Sequence, residues 1–376
     1  MKLLIHDLNE KEWEEVAQQY QDYEVISDRG NIKPCVGCFG CWLKTPGQCV
    51  IKDGYDCMGA LIHKAEEVVV ISRYTYGGFS SFVKNVMDRS IGWVLPYMEI
   101  IKGEMHHRKR YPEDKPITFI FRGGAFTESE KEKARAYVEA VCRNFKGWVK
   151  GLQFLPCEAE TDEPQETPCE QGKMILLNGS LRGNEANTRK FLSALAGRLD
   201  AGEMINLSVT RLEETCQELL SAGTLVLGMP LYVDGIPSQM LRVMKRMERH
   251  PGGRKKIYTV ANMGFYESRQ LKNLLSMVKD WCEKCGYEYC GGIAIGAGEM
   301  LKMFTNGQGP GRNVGDGLAR LAGAIRNGTK VGDIYADAQG FPRWMYMLIA
   351  NMNWPRGGKK TGISKMELKR QLTMDN

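Results

Sequence analysis

The chain has 376 residues, long enough to bury a large core and to make two domains. With 43% hydrophobic and 26% charged residues it is excluded from the disordered and collagen-like classes. A net charge of +6 suits anionic small molecules as well as nucleic acid and decides little between them; the dispersal of the basic residues argues against nucleic acid.

The opening "MKLLIHDLNEKEWEE" turns acidic after a few apolar residues, so no secretory signal is expected. No apolar run reaches the roughly 18 residues of a membrane span. Twelve cysteines without such a signal read as reduced thiols of a cytoplasmic protein.

"KLLIHDL" predicts the first strand. Residues 35–49, "CVGCFGCWLKTPGQC", follow with C-x2-C-x2-C-x7-C spacing. Next comes "VVVISRYTYGGFSSFVKNVMDR" at 68–89: an apolar β-branched run, a loop with an aromatic and Gly, then a helix with apolar residues at 3–4 spacing. An insertion at 92–115 carries His106 and His107, expected to be solvated. "ITFIFRGGAFTE" predicts another strand and loop, before a long amphipathic helix.

The order then repeats. "KMILLNGS" opens the second half. "LVLGMPLYVDGIPSQMLRVMKR" at 225–246 aligns with 68–89 without a gap, and "IYTVANMGFYES" parallels "ITFIFRGGAFTE". Strands alternating with helices imply right-handed βαβ units and parallel sheets. The expected fold is α/β: two copies of one doubly wound parallel domain of about five strands each. The expected domains are 1–155, an acidic linker at 156–172, 173–328, and a C-terminal extension at 329–376 that fits neither copy. Within the extension, "FPRWMYMLIANMNW" predicts an apolar, aromatic helix, read as packing on the core or at a subunit interface rather than as membrane contact.

In "MILLNGSLRGNEANTRKFLSAL" a strand leads through a polar turn into a helix. Ser180, Arg182, Asn184, Asn187 and Thr188 crowd that turn, where backbone N–H groups at a helix start suit a phosphate. The plainer reading is an N-cap by Asn187 or Thr188. Neither G-x-x-x-x-G-K-[ST] nor G-x-G-x-x-G is present there, and the glycines of "GAGEM" and "GQGPGR" read as turns. Two further loops, "PLYVDGIP" and "NMGFYES", should converge with the first at the carboxyl ends of the strands. They bring Tyr232, Phe265 and Tyr266 beside glycines that let backbone approach a flat ring.

"GSLRGNEANT" and "PLYVDGIPSQML" make the second half resemble the flavodoxin-like NAD(P)H-dependent FMN reductases, with the first loop one residue longer than the commonest version. The cysteine stretch resembles the cysteine loop of the iron–sulfur flavoproteins in the same superfamily. The resemblance covers about residues 1–328 and implies an α/β fold of two tandem flavodoxin-like doubly wound parallel five-stranded sheets, order 2-1-3-4-5. It implies FMN, with its phosphate on Ser180, Arg182, Asn184, Asn187 and Thr188 and its ring against Pro230, Leu231, Tyr232, Val233, Asn262, Met263, Gly264 and Phe265. It implies NAD(P)H or a protein as electron donor, a small molecule or protein as acceptor, and flavin-borne chemistry without a protein nucleophile. It also implies that the two copies pair as an internal pseudo-dimer, with further homo-oligomers open.

For Cys35, Cys38, Cys41 and Cys49 three readings stand. They are the four thiolates of a [4Fe–4S] cluster, a zinc site, or free thiols. The first half spends 43 residues between its second and third strands (24–66) against 21 in the second (203–223), and the surplus is the cysteine loop. Conversely, the first half's opening loop "HDLNEKEWEE" has no Ser, Thr or Arg, and its acids would repel phosphate. One FMN per chain is therefore expected, with the cysteine loop facing it or merely stapling the first half. The rival functions are a non-enzymatic flavodoxin-like electron carrier and a zinc-stapled binding protein with a vestigial flavin site.

Overall fold

The computed structural model describes residues 1–157, 170–199, 202–249 and 251–372. Two compact units emerge: Met1–Glu160 with Met347–Asn376, and Thr161–Tyr346. Most of the expected acidic linker lies outside the described residues.

The first unit runs β1 (Lys2–His6), α1 (Glu10–Val16), β2 (Tyr23–Ile26), α2 (Gly40–Leu43), α3 (Met58–Lys64), β3 (Glu67–Arg73), α4 (Ser81–Arg89), β4 (Val94–Ile101), β5 (Glu104–Lys109), β6 (Lys115–Gly123), α5 (Glu128–Asn144) and β7 (Gly147–Pro156). Its sheet has the order β2-β1-β3-β6-β7 with every pair parallel. β3 is buried along Val68–Ser72 because helices cover both faces of a parallel sheet, which is why "VVVIS" does not alternate. Leu4, Val69, Ile71 and Ile120 form the core on one face, under Trp13 and Tyr20. Each such side chain contributes about 1.5–3 kcal/mol on burial.

The second unit runs β8 (Glu170–Asn178), α6 (Asn187–Ala196), β9 (Glu203–Asn206), α7 (Leu212–Ser221), β10 (Ala222–Pro230), α8 (Ser238–Arg249), β11 (Lys256–Asn262), α9 (Lys272–Cys285), β12 (Glu288–Ile295), α10 (Gly298–Leu301), α11 (Arg312–Asn327) and β13 (Ile334–Ala336). Its sheet has the order β9-β8-β10-β11-β12-β13, again all parallel. Here the expectation of five strands is corrected to six. The sixth, β13, comes from the stretch read as an extension. Three residues are too short to show a period, and only pairing with β12 reveals the strand. The extension then continues as α12 (Arg343–Lys360).

The two aligned segments share a local backbone. A tight antiparallel bridge joins Thr75 to Gly78, and another joins Tyr232 to Gly235. Both central residues have positive φ in each turn: Tyr76 (51°) and Gly77 (94°), Val233 (37°) and Asp234 (59°). Only the first turn has a glycine there, so the second carries backbone strain at a β-branched residue.

A second correction concerns the insertion at 92–115. It is the β4–β5 hairpin, and His106 is 2% exposed, with Nδ1 2.7 Å from Asn144 Oδ1. His107 sits 4.6 Å from the Trp42 ring, and burial pushes its imidazole down to about 3. Asn144 and Trp42, the partners that enclose the two histidines, are remote in sequence, so local polarity misled there, while Arg108 and Lys109 are exposed.

Candidate functional site

In the second unit, β8 delivers the chain into a turn whose shape is set by its own polar residues. Asn178, fully buried, donates from Nδ2 to Gly183 O (2.9 Å) and Asn206 Oδ1 (2.9 Å). Asn206 in turn donates to Asn184 Oδ1 at 3.1 Å and accepts from Arg189 at 3.1 Å. Ser180 is 3% exposed, and its hydroxyl accepts from the Arg182 amide at 3.4 Å. Gly179 is required by close approach: a Cβ there would stand 2.4 Å from Met240 Sδ and 3.0 Å from Gly228 O.

Neither expected cap residue caps α6. The N-cap is Ala186, and no side-chain cap bond is made. Thr188 donates instead to Asn262 Oδ1 at 2.7 Å, tying the turn to the end of β11. Asn187 donates to Glu299 on α10. The first-turn amides of α6 therefore receive no side-chain oxygen, which is the condition for an anion at a helix start. Gln239 Nε2, at the start of α8, donates to Gly179 O (3.2 Å), while its buried Oε1 has no partner among the described residues.

The other two predicted loops do converge here. Pro230 ends β10, and Leu231, Tyr232 and Val233, all half-buried, form the strained turn. The Leu231 amide donates to Asn262 O at 2.8 Å. The Met263 amide donates to Ile295 O at 3.1 Å, so strand pairing already occupies it. Gly264 is exposed and a Cβ there would meet nothing within 4 Å, which leaves open space beside half-buried Phe265.

Sequence reasoning missed two contributors. Glu299, in the "GAGEM" loop read as a turn, reaches across to Asn187. Burial raises its carboxyl, but hydrogen bonds from Asn187 and Lys302 and the Arg182 charge win and hold it below the usual range. Tyr346, in the supposed extension, donates to Gly264 O at 2.7 Å and is 6% exposed. Neither lies in a motif; a fourth loop at the end of β12 was the available signal for Glu299.

The equivalent position of the first unit is filled by the protein itself. Asn9 caps α1 and Glu12 closes the capping box, at 2.9 and 3.0 Å. Glu12 also pairs with Arg73 (2.7 Å) and Arg122 (3.5 Å). Of the acids expected to repel a phosphate, Glu12 is thus held by the cap and by two arginines. Asp7 accepts the Arg73 amide at 3.0 Å, and burial raises its carboxyl to about 6 against the pull of Ser80 and Arg73.

In the cysteine loop Cys41 is buried, Cys35 and Cys49 are half-buried and Cys38 is exposed. Burial raises the Cys35 thiol to about 12, with the Asp88 charge adding, and holds Cys41 well above its usual value. Cys49 Sγ accepts from Arg89 Nε at 3.1 Å. The other four bonds of that guanidinium, all 2.8–2.9 Å, go to Lys33 O, Ile51 O and both oxygens of Asp53. Trp42 anchors the loop by stacking on Phe39 and donating to Val94 O at 2.9 Å. Among the described residues, no three or more His, Cys, Asp or Glu side chains are gathered as a metal centre requires. The Cys35, Cys49 and Cys38 charges all act on Cys41, so the four thiols are near neighbours in a loop ordered by Arg89 and Trp42.

Fold and site together define an α/β protein with parallel sheets and, at the carboxyl end of β8, a polar turn leading into a helix without a side-chain cap. No protein-family model matches the chain, and no curated protein matches it. Among solved structures, a flavone reductase is similar at 13% identity and a TM-score of 0.32, over 47% of this chain and 70% of that one. An FMN-dependent NADH-azoreductase from Bacillus anthracis str. Ames Ancestor, in complex with FMN, is similar at 13% identity and a TM-score of 0.21, over 50% of this chain and 99% of that one.

Proposed function

We propose that the second unit binds FMN and that the protein is an NAD(P)H-dependent flavin oxidoreductase. The observation that carries this reading is the α6 start. It lacks a side-chain cap, with Ser180, Arg182 and Thr188 beside it, whereas the equivalent α1 start is capped and acidic. Arg182 and the α6 amides would hold the phosphate, and Ser180 would add a hydroxyl. Tyr232 and Val233 on one side, and Gly264 and Phe265 on the other, would flank the ring. Bound FMN supplies hydride and single-electron transfer. The chain's own part is to orient it: Thr188 and Tyr346 fix the Asn262–Phe265 loop through their bonds to Asn262 and Gly264.

The tandem relation of the two halves, and their pairing as an internal pseudo-dimer, belong to the same reading. The shared turns at 75–78 and 232–235 support the tandem relation. No step is assigned to the cysteine loop. Four irons per chain in anaerobically purified protein would assign the loop a cluster.

The experiment is an FMN titration of wild type, Arg182→Ala and Asn9→Ala, followed by NADH and NADPH oxidation. Losing a charge-assisted hydrogen bond costs about 1.5–3 kcal/mol, so Arg182→Ala should bind about tenfold or more weakly. Asn9→Ala should bind as wild type. Equal affinity in all three would reduce the turn to a structural element. FMN binding without nicotinamide oxidation would make the protein an electron carrier.

A further inference from the structure

Helix α12 leaves one face bare. Trp344, Leu348, Ile349 and Met352 are 62%, 51%, 44% and 48% exposed. Positions 344, 348 and 352 recur every fourth residue, with Ile349 beside them, so they form one stripe. The side next to the Trp344 edge of the stripe is engaged. Asn351 bonds both the amide and the carbonyl of Met98, at 2.6 and 3.1 Å, and Trp354 packs edge-on against Trp42 at 5.2 Å. The stripe is therefore surplus to folding.

The bare side continues, at the same helical spacing, into exposed Arg356, Lys359 and Lys360. From 343 to 366 the sequence holds five basic residues and no acidic one. The last 34 residues carry seven basic and two acidic residues, nearly the whole net charge of +6. A second copy meeting this face across a two-fold axis would set one cationic cluster against another. An apolar stripe with Trp, running into Lys and Arg, matches the boundary between acyl chains and anionic headgroups. Among the described residues no helix is long and apolar enough to cross a membrane, so the helix would lie in the surface.

We propose that α12 seats this protein on anionic phospholipid. Trp344, Leu348, Ile349 and Met352 enter the headgroup–acyl boundary, and Arg356, Lys359 and Lys360 meet lipid phosphates. This is independent of the flavin reading and replaces the core-or-interface expectation for the exposed side of the helix.

The test is flotation of the full chain with vesicles of phosphatidylcholine alone or mixed three to one with phosphatidylglycerol, at low and at high salt. Binding is expected to the mixed vesicles only, and to fall at 1 M salt, where the screening length is about 3 Å. Lys359→Gln with Lys360→Gln should weaken partitioning about 25-fold, at about 1 kcal/mol per charge. Leu348→Ser with Ile349→Ser should weaken it at least tenfold, with an unchanged thermal midpoint because both sites are exposed. Inorganic phosphate at millimolar concentration should not compete. The proposal is overturned if wild type ignores the mixed vesicles, if both double variants bind like wild type, if phosphate alone displaces the protein, or if light scattering shows a dimer that Leu348→Ser with Ile349→Ser dissolves.

Discussion

Replacing Asp7 by Asn should make the first unit more stable as pH rises. Asp7 follows β1, where its carboxylate accepts the Arg73 amide at 3.0 Å. Burial raises its pKa from 3.8 to about 6. A carboxyl raised in the folded state adds stability that is complete below the unfolded pKa and is lost as pH rises through the folded one. The full linkage from a shift of about two units is about 3 kcal/mol. About 2 kcal/mol of it falls between pH 4.5 and 7.5. Part of the residue meets solvent, so these are upper figures. Asparagine keeps an acceptor for the Arg73 amide and cannot ionise. The stability difference between Asp7→Asn and wild type should therefore grow in the variant's favour by up to about 2 kcal/mol over that range. Urea unfolding at several pH values, with 13C NMR titration of the Asp7 carboxyl, measures both quantities. A carboxyl titrating at or below 4, with a difference that is flat in pH, would refute the reasoning.

Arg89→Met should destabilise the first unit by about 3–5 kcal/mol, because it leaves the Asp53 carboxylate buried without its cation; the two side chains are 0% and 5% exposed. The same variant should raise the reactivity of Cys38 and Cys49 towards a thiol reagent as the loop loosens, and protection equal to wild type would show that the loop does not depend on Arg89. Gly228→Ala should cost about 1–3 kcal/mol by overpacking, since its Cβ would stand 2.5 Å from Leu192 Cδ1. An unchanged urea midpoint for that variant would mean that Leu192 re-packs freely.

Periodicity and order were legible in the sequence because they are local. The apolar runs at 68–72 and 225–229 need only their own residues to be read as buried strands, and the gapless alignment of 68–89 with 225–246 located two turns with the same backbone signs. Residue chemistry marked the 180–188 turn and the cysteine spacing. Tertiary structure alone decided what those residues do. Asn187 and Thr188, natural caps by type, are drawn off the helix start by Glu299 and Asn262, more than seventy residues away. Within "NEKEWEE", Glu12 became the partner of the Asn9 cap and, once β3 and β6 brought Arg73 and Arg122 to it, an ion-pair partner. His106 and His107 were enclosed by partners from other elements. The cysteine spacing marked the loop, but its order comes from Trp42 and from an arginine forty residues downstream of Cys49. A hydrogen bond, an ion pair or a ligand set depends on where the other partner is, and chain spacing does not carry that for partners on different strands.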